Sequence, residues 1–428
     1  MGMDIREAHE PQQEFRLDNA AKIFPSLLTK QQTTIFRLSA NIDKAVNIRI
    51  LQESLSAMLV RCPYYKVHLR KGLFWYYLEP CDSEARIEAE SRYPCLYLPY
   101  KKPGVLPFRV LAYQNRIAFE IAHFITDGTG ALNFLNGLLL EYLRRRGEKI
   151  DPEGRIIECT DPPDPKEGED SFRIHYEKGV PQAKQLPPAL QLGGKQEKPP
   201  IFHVTEGRME SADLKREASR YGATIGEFIT ALLIDVAQEV MARRKLKPRP
   251  IRISIPINLR KVYPSITMRN FALSVEPEID PRLGDFQFGD IVAKVHHFMK
   301  MELDQRMIKR QLARNIEGEK NPFVRITPLL FKDPLLRHFY GIFGRKAFTL
   351  SFSNLGRIQI PEQMKPFIKA YQFLPPPLKQ SVNATSVAYA GKTSLFITST
   401  VQDRSVERLV YTRLRKMGIR VSVTTNRR

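Results

Sequence analysis

The sequence predicts an α+β protein built as two lobes, with mixed sheets flanked by helices. Three observations carry this. The chain has 428 residues, more than one hydrophobic core usually serves, so two core-forming units are expected. Each half mixes segments of strand period with segments of helix period, without the strict alternation of a doubly wound sheet. Between the halves, residues 161–200 are dense in Pro, Lys, Asp and Glu, with Pro162-Pro163, Pro187-Pro188 and Pro199-Pro200. The expected organisation is an N-terminal lobe over 1–160, an exposed interlobe connector over 161–200 and a C-terminal lobe over 201–428.

The elements follow in order. Thr33–Leu38 reads as a strand. Ile48, Leu51, Leu55, Met58 and Leu59 recur at three- and four-residue spacing on one helical face, and Pro63 marks the end of that helix. Tyr64–Leu69 and Leu73–Leu78 read as a hairpin across Lys71-Gly72, with the aromatic residues of this region placed mainly in the core by strand alternation. Phe108–Ala112 and Ile117–Ala122 form a second strand pair around Gln114-Asn115-Arg116. A helix then runs from the Asp127-Gly128-Thr129-Gly130 loop to about Arg146, where Gly147 stops it.

The second half restarts with a strand near Phe202–Met209 and a short helix that Ser211 can cap. Thr224 and Glu227 have the spacing of a capping box and open a helix to about Arg243. Ile251–Ile257 reads as a buried strand and about Asp290–Asn315 as one long helix. Ala347–Ser353 reads as a strand leading into Asn354-Leu355-Gly356. Val382–Tyr389 and Ser394–Thr400 form a hairpin across Gly391-Lys392. A basic helix over about Val406–Met417 and a strand over Arg420–Thr424 follow.

Composition narrows the class. Hydrophobic residues make up 43% and charged residues 26%, which excludes a fibrous or disordered chain. Lys and Arg exceed Asp and Glu by 21 charges, a surface that attracts phosphates, anionic lipid or nucleic acid. The cysteines Cys62, Cys81, Cys95 and Cys159 form no close pair and read as reduced thiols of a cytoplasmic protein. Met1–Phe15 lacks the apolar core of a signal peptide, and the apolar run near Ala131–Leu143 is too short and too polar to span a bilayer. The expectation is a soluble protein with possible peripheral membrane contact. His296-His297 point in adjacent helical directions and cannot pair on a metal. There is no metal site, P-loop or dinucleotide fingerprint.

The sharpest feature is His123-Phe124-Ile125-Thr126-Asp127-Gly128, on a strand-to-helix loop. A neutral imidazole accepts a proton near neutral pH, since its unperturbed pKa is about 6.5. Asp127, four residues on, can hold the loop through a buried ion pair and can also cap the helix. Gly128 and Gly130 are expected to allow the sharp turn.

With the ordered segments Phe36-Arg37-Leu38-Ser39, Arg61-Cys62-Pro63-Tyr64-Tyr65, Gly72–Leu78, His123–Gly128, Ile255–Arg260, Met268-Arg269-Asn270-Phe271 and Ser351–Gly356, the chain resembles the CoA-dependent acyltransferase superfamily over essentially its whole length. That group includes chloramphenicol acetyltransferase, plant acyltransferases and peptide-synthetase condensation domains. The likeness is strongest to stand-alone bacterial proteins described as alcohol-acetyltransferase-like.

The resemblance implies a chloramphenicol acetyltransferase-like fold with an active-site channel between the lobes. It implies an acyl-CoA co-substrate, an alcohol or amine acceptor and no acyl-enzyme. His123 becomes the general base, Asp127 the loop anchor and Arg260 its arginine partner. Ser353 and Asn354 become candidates for stabilising the oxyanion, and Asn270 for lining the donor site. Two departures stand out. Ala122 occupies the place of the second histidine of condensation domains, and Ser-Phe-Ser-Asn-Leu-Gly replaces the Asp-Phe-Gly-Trp-Gly of plant relatives. A free-standing condensation-like enzyme using a carrier-protein thioester is the alternative. A non-catalytic or nucleic-acid-binding protein is the rival from another class. Against nucleic acid, the basic residues are spread through both halves and no recognition motif is present.

Overall fold

Ile35–Ile42 is buried along nearly its whole length because it runs inside a five-stranded sheet. The computed structural model describes residues 15–427, apart from 184–185, 198–200, 321 and 379–381. The polar start of the chain and Pro199-Pro200 lie outside the described residues. The five-stranded sheet runs in the order Ile368–Leu374, Ile35–Ile42, Arg116–Ala122, Phe108–Tyr113 and Ile87–Ala89. Helices Ile48–Arg61 and Gly128–Arg145 put their apolar stripes into its core, Leu51, Leu55 and Met58 from one and Phe134 and Leu138 from the other. Ile368–Leu374 comes from far along the chain and pairs antiparallel with Ile35–Ile42.

A second sheet has eight strands. Its path is Ala272–Val275, Ile251–Asn258, Leu350–Arg357, Val382–Tyr389, Lys392–Ser399, His203–Glu210 and Ser422–Thr425, with Glu278–Ile279 also paired to Ile251–Asn258. Leu350–Arg357 is parallel to both neighbours. One face is dry: Ile253, Val275, Leu350, Phe352 and Ala384 share a core with helices Ile225–Arg243 and Phe288–Glu302. The other face follows from alternation and register. Ser254 lies beside Ser351, Ser353 beside Thr385, and Ser274 beside Pro256, so this face is rich in hydroxyls.

The expected capping box is formed, with Thr224 Oγ1 accepting from Glu227 N and Glu227 Oε2 from Thr224 N. The long helix expected near Asp290–Asn315 is instead two, Phe288–Glu302 and Gln305–Lys320. Asp304 makes the break, its carboxylate accepting from Arg306 N at 2.9 Å while its carbonyl starts the second helix. Ser211 is the first residue of its helix rather than its cap, and its hydroxyl pairs with Thr393. The first hairpin closes later than expected, with Lys71 opposite Tyr76, so Leu73 and Phe74 form an exposed tip. All four cysteines are free, and burial pushes the Cys62 thiol up to about 11, away from reactive thiolate character.

The segment after residue 160 folds back on the first half. Both oxygens of Glu167 accept from the Arg61 guanidinium at 2.7 Å, and Tyr64 adds a third bond at 3.0 Å. Both partners are buried. Removing one partner of such a pair leaves an uncompensated buried charge, so Glu167→Ala should cost about 3–5 kcal/mol. Urea unfolding checks this; an unshifted midpoint would mean that the pair contributes nothing.

Candidate functional site

His123 stands at the end of the strand Arg116–Ala122, where its backbone N–H still donates to Thr34 O at 2.9 Å. The ring is partly accessible. It stacks on Phe24, with centroids 4.6 Å apart and planes 14° apart, and lies 5.0 Å from the Phe36 ring. Aromatic walls and a fixed backbone leave the imidazole few rotamers. Burial holds its pKa below the usual 6.5, against the opposing charge of Asp127 and the bond to Asn270. The ring is therefore neutral at pH 7.

Which nitrogen carries the proton follows from the next two residues. His123 Nδ1 lies 3.1 Å from Asn270 Oδ1. The Asn270 amide is set by its other end, because Nδ2 donates to Asp18 Oδ2 at 3.0 Å. An amide oxygen only accepts, so Nδ1 must be the donor, and Nε2 keeps the lone pair. Asp18 is fully buried, and its carboxylate also takes Asn270 N and Ala21 N. Burial pushes it up to about 7, against the charge of Arg269. Asp18 escaped the sequence reading: it lies 252 residues from Asn270, in a segment with no motif.

Asp127 does two jobs with its two oxygens. Oδ1 caps the helix Gly128–Arg145, accepting from Thr129 N and Gly130 N at 3.1 Å each. Oδ2 accepts from Arg260 Nη1 and from Phe271 N, both at 2.8 Å. Arg260 follows the strand Ile251–Asn258 directly, and its Nε donates to Thr267 O at 2.9 Å. Its side chain and that of Asp127 are only 10% and 8% exposed. Asn258 adds a second tie, donating to Thr129 Oγ1 at 3.1 Å.

The glycines matter for a reason other than the one expected. Neither Gly128 nor Gly130 has a left-handed φ. Both are small because the other half of the chain comes close. A Cβ on Gly130 would collide with Thr126 Oγ1 and the Met268 carbonyl, and one on Gly128 would sit 3.1 Å from Leu355.

Ser353 and Asn354 both lie inside the strand Leu350–Arg357, not on a turn after it. Alternation sends them to opposite faces. Ser353 belongs to the hydroxyl-rich face beside Thr385, whose hydroxyl bonds Phe373 O. Phe373 in turn lies 3.4 Å from where a Gly128 Cβ would be. Asn354 faces the helix side, where it accepts from Ser386 Oγ at 3.0 Å and lies against Gly226. On the hydroxyl-rich face a cavity of about 440 Å³ opens among Ser254, Ser274, Glu276 and Phe348. A second, more apolar one of about 440 Å³ lies among Thr33, Cys95, Tyr97 and Phe202.

No protein-family model matches the sequence, and no curated protein matches it significantly. Solved structures do match. The Fusarium graminearum protein TRI101, solved with coenzyme A and T-2 mycotoxin, aligns with a TM-score of 0.65 at 11% identity, over 96% of this chain and 99% of that one. The first condensation domain of the calcium-dependent antibiotic synthetase gives 0.63 at 13% identity, over 95% and 96%. Polyketide synthase associated protein 5 from Mycobacterium tuberculosis gives 0.62 at 14%, over 94% and 98%. This chain has their fold. It is the two-lobed, chloramphenicol acetyltransferase-like architecture that the sequence led us to expect, with mixed sheets flanked by helices. Within that fold, His123 sits where the two halves of the chain meet, since its ring partner Asn270 and its loop partner Arg260 come from the second half. Among the described residues no group of His, Cys, Asp and Glu could hold a metal ion.

Two outcomes follow. Asp127→Asn puts an amide donor near Arg260, Phe271 N or the helix N-terminus, all of them donors. Losing the charge of a pair this buried should cost up to about 3–5 kcal/mol, seen as a lower melting temperature with reduced activity. Wild-type melting with a loss confined to one chemical step would give Asp127 a direct role instead. Asp18→Asn removes an acceptor that three N–H groups share. The Asn270 amide loses its anchor, and the His123 ring its single tautomer. Long-range 1H–15N spectra of histidine-labelled protein should change from Nδ1–H to a mixture. An unchanged spectrum would remove Asp18 from the positioning chain.

Proposed function

We propose that the protein is a CoA-dependent O- or N-acyltransferase in which His123 is the general base. The observation that carries this is the His123 ring itself: neutral, clamped between Phe24 and Phe36, and bonded through Nδ1 so that Nε2 is free to take a proton. Nε2 takes the proton of an acceptor hydroxyl or amine. The acceptor oxygen or nitrogen then attacks the thioester carbonyl, giving a tetrahedral oxyanion. Collapse breaks the C–S bond, and the leaving thiolate recovers the proton from the imidazolium. No acyl-enzyme forms. Asp127 and Arg260 hold the loop, Gly128 and Gly130 let the halves close on it, and Asn270 fixes the tautomer. Ser353, on the hydroxyl-rich face, is our candidate donor to the oxyanion. Asn354 faces the other way and would contribute through the strand it stabilises.

Acyl-CoA as donor is supported by the excess of 21 positive charges and by the similar structure solved with coenzyme A. A short acyl group, an acetyl group above all, is the reading taken from the resemblance. The match to a condensation domain favours one second reading, a carrier-protein thioester as donor. Efficient turnover of free acyl-CoA would decide for the first. The free thiols fit a cytoplasmic location.

His123→Ala should lower the rate of thiol release from acyl-CoA by about 10²–10⁴-fold. Because the base is active when neutral and its pKa is depressed, kcat/KM should fall as pH drops through a value below 6.5, with any limb at about 7 belonging to Asp18. Full turnover by the alanine variant would refute the assignment. A limb above pH 6.5 would mean that another group titrates.

A further inference from the structure

The helix Leu329–Phe339 is packed the wrong way round for a helix in water. Three of its polar residues bond to the protein. Lys332 Nζ donates to Phe74 O at 2.7 Å and lies over the Trp75 ring. Asp333 accepts from Ser26 Oγ at 2.6 Å and from Tyr76 OH at 2.7 Å. Arg337 Nε donates to Ser26 O at 3.0 Å. Leu329 is buried, but Leu330, Phe331 and Leu335 face out, at 69%, 66% and 49% exposed. Ile326, just before the helix, is 66% exposed. The patch continues on the hairpin tip, where Leu73 and Phe74 are 68% and 39% exposed and Leu73 O accepts from Leu329 N at 2.8 Å. An isolated exposed leucine means little, whereas six large apolar side chains on two adjoining elements mark a surface that something covers.

The charge around the patch points to what covers it. Lys332 and Arg337 bond inward and Arg70 pairs with Glu79, which leaves Arg325 and Lys346 exposed near the helix and Lys71 exposed on the hairpin. Asp333 is already bound inward. Apolar side chains projecting outward with cations beside them match the interface of an anionic bilayer. There the apolar face enters the acyl boundary while the cations meet the headgroups. A protein partner with an acidic rim would meet the same charges and is the alternative the test separates. No helix among the described residues is long and apolar enough to cross a membrane. We propose that Leu329–Phe339 and the Leu73-Phe74 tip form an interfacial surface that docks the protein on anionic lipid.

This surface lies close to the chemistry. Ser26, which donates to Asp333 and accepts from Arg337, belongs to the short helix Phe24–Leu27, and Phe24 is the ring stacked on His123. The docking proposal stands on its own observations and does not depend on the reaction catalysed.

The test is co-sedimentation of the full chain with vesicles of phosphatidylglycerol and phosphatidylcholine, and with phosphatidylcholine alone. Binding to the anionic vesicles is expected, weakened by added salt. Phe331→Ser with Leu335→Ser should reduce it about tenfold or more. Lys71→Gln, on the charged rim, should weaken it less and flatten the salt dependence. Both side-chain changes are on the surface, so the melting temperature should hold. Failure of the wild-type chain to bind anionic vesicles, or equal binding by the double variant, overturns the proposal. So does a self-associating wild type, in analytical ultracentrifugation, that becomes monomeric in the double variant, since a second copy would then be the occupant.

Discussion

A carboxylate at a helix N-terminus, facing a guanidinium from the other half of the chain, sets the geometry around His123. Asp127 could satisfy the helix alone, with one oxygen. Its second oxygen goes to Arg260 and to Phe271 N, groups more than 130 residues away. That places a rigid joint one turn from the imidazole. The same joint brings the 267–271 segment against the His loop, and so puts Asn270 on the ring. Moving the joint would shift both the imidazole and the group that sets its tautomer. The small residues Gly128 and Gly130 belong to the same constraint, since larger side chains would hold the two halves apart.

The eight-stranded sheet shows how one element can serve both stability and chemistry. Its dry face gives the second half of the chain its core. Its other face carries Ser254, Ser274, Ser351, Ser353 and Thr385, many of them only partly buried, beside a cavity. Hydroxyls are poor core formers but good wall material, because they bond water or a polar substrate without the desolvation cost of a charge. A period of two places the two roles a single residue apart, as Ser353 and Asn354 illustrate.

The positive charge of the chain is also divided. Arg37 is buried with Glu120 and Glu90 and Arg61 with Glu167, while the buried Arg252 reaches the exposed Glu278. Buried cations must be paired, and these are neutralised where they stand. The net excess therefore lies on the outside, where it acts on partners through the field. Near Leu329–Phe339 the exposed cations include Arg325, Lys346 and Lys71.

Much of this was legible in the sequence because it is local. The capping box of Thr224 and Glu227, the strand pair around Gln114-Asn115, the helix Ile48–Arg61 and the His123–Gly128 loop depend on residues a few positions apart. Periodicity and turn chemistry record such contacts. The long helix near Asp290–Asn315 was misread for a local reason as well: both pieces keep a helical period, and Asp304 breaks them without a Gly or Pro.

What the tertiary structure alone decided are contacts between distant segments. The fifth strand of the first sheet, Ile368–Leu374, joins residues more than 300 positions away. Asn270 reaches His123 over 147 positions and Asp18 over 252. Ser353 and Asn354 took opposite faces once the register of Leu350–Arg357 was set by its neighbours. The sequence by itself pointed to His123, its loop and the arginine that pairs with Asp127. It could not name Asp18 as the residue that orients the ring. A hydrogen bond between segments hundreds of residues apart leaves no period to read, and only the folded chain brings its two ends together.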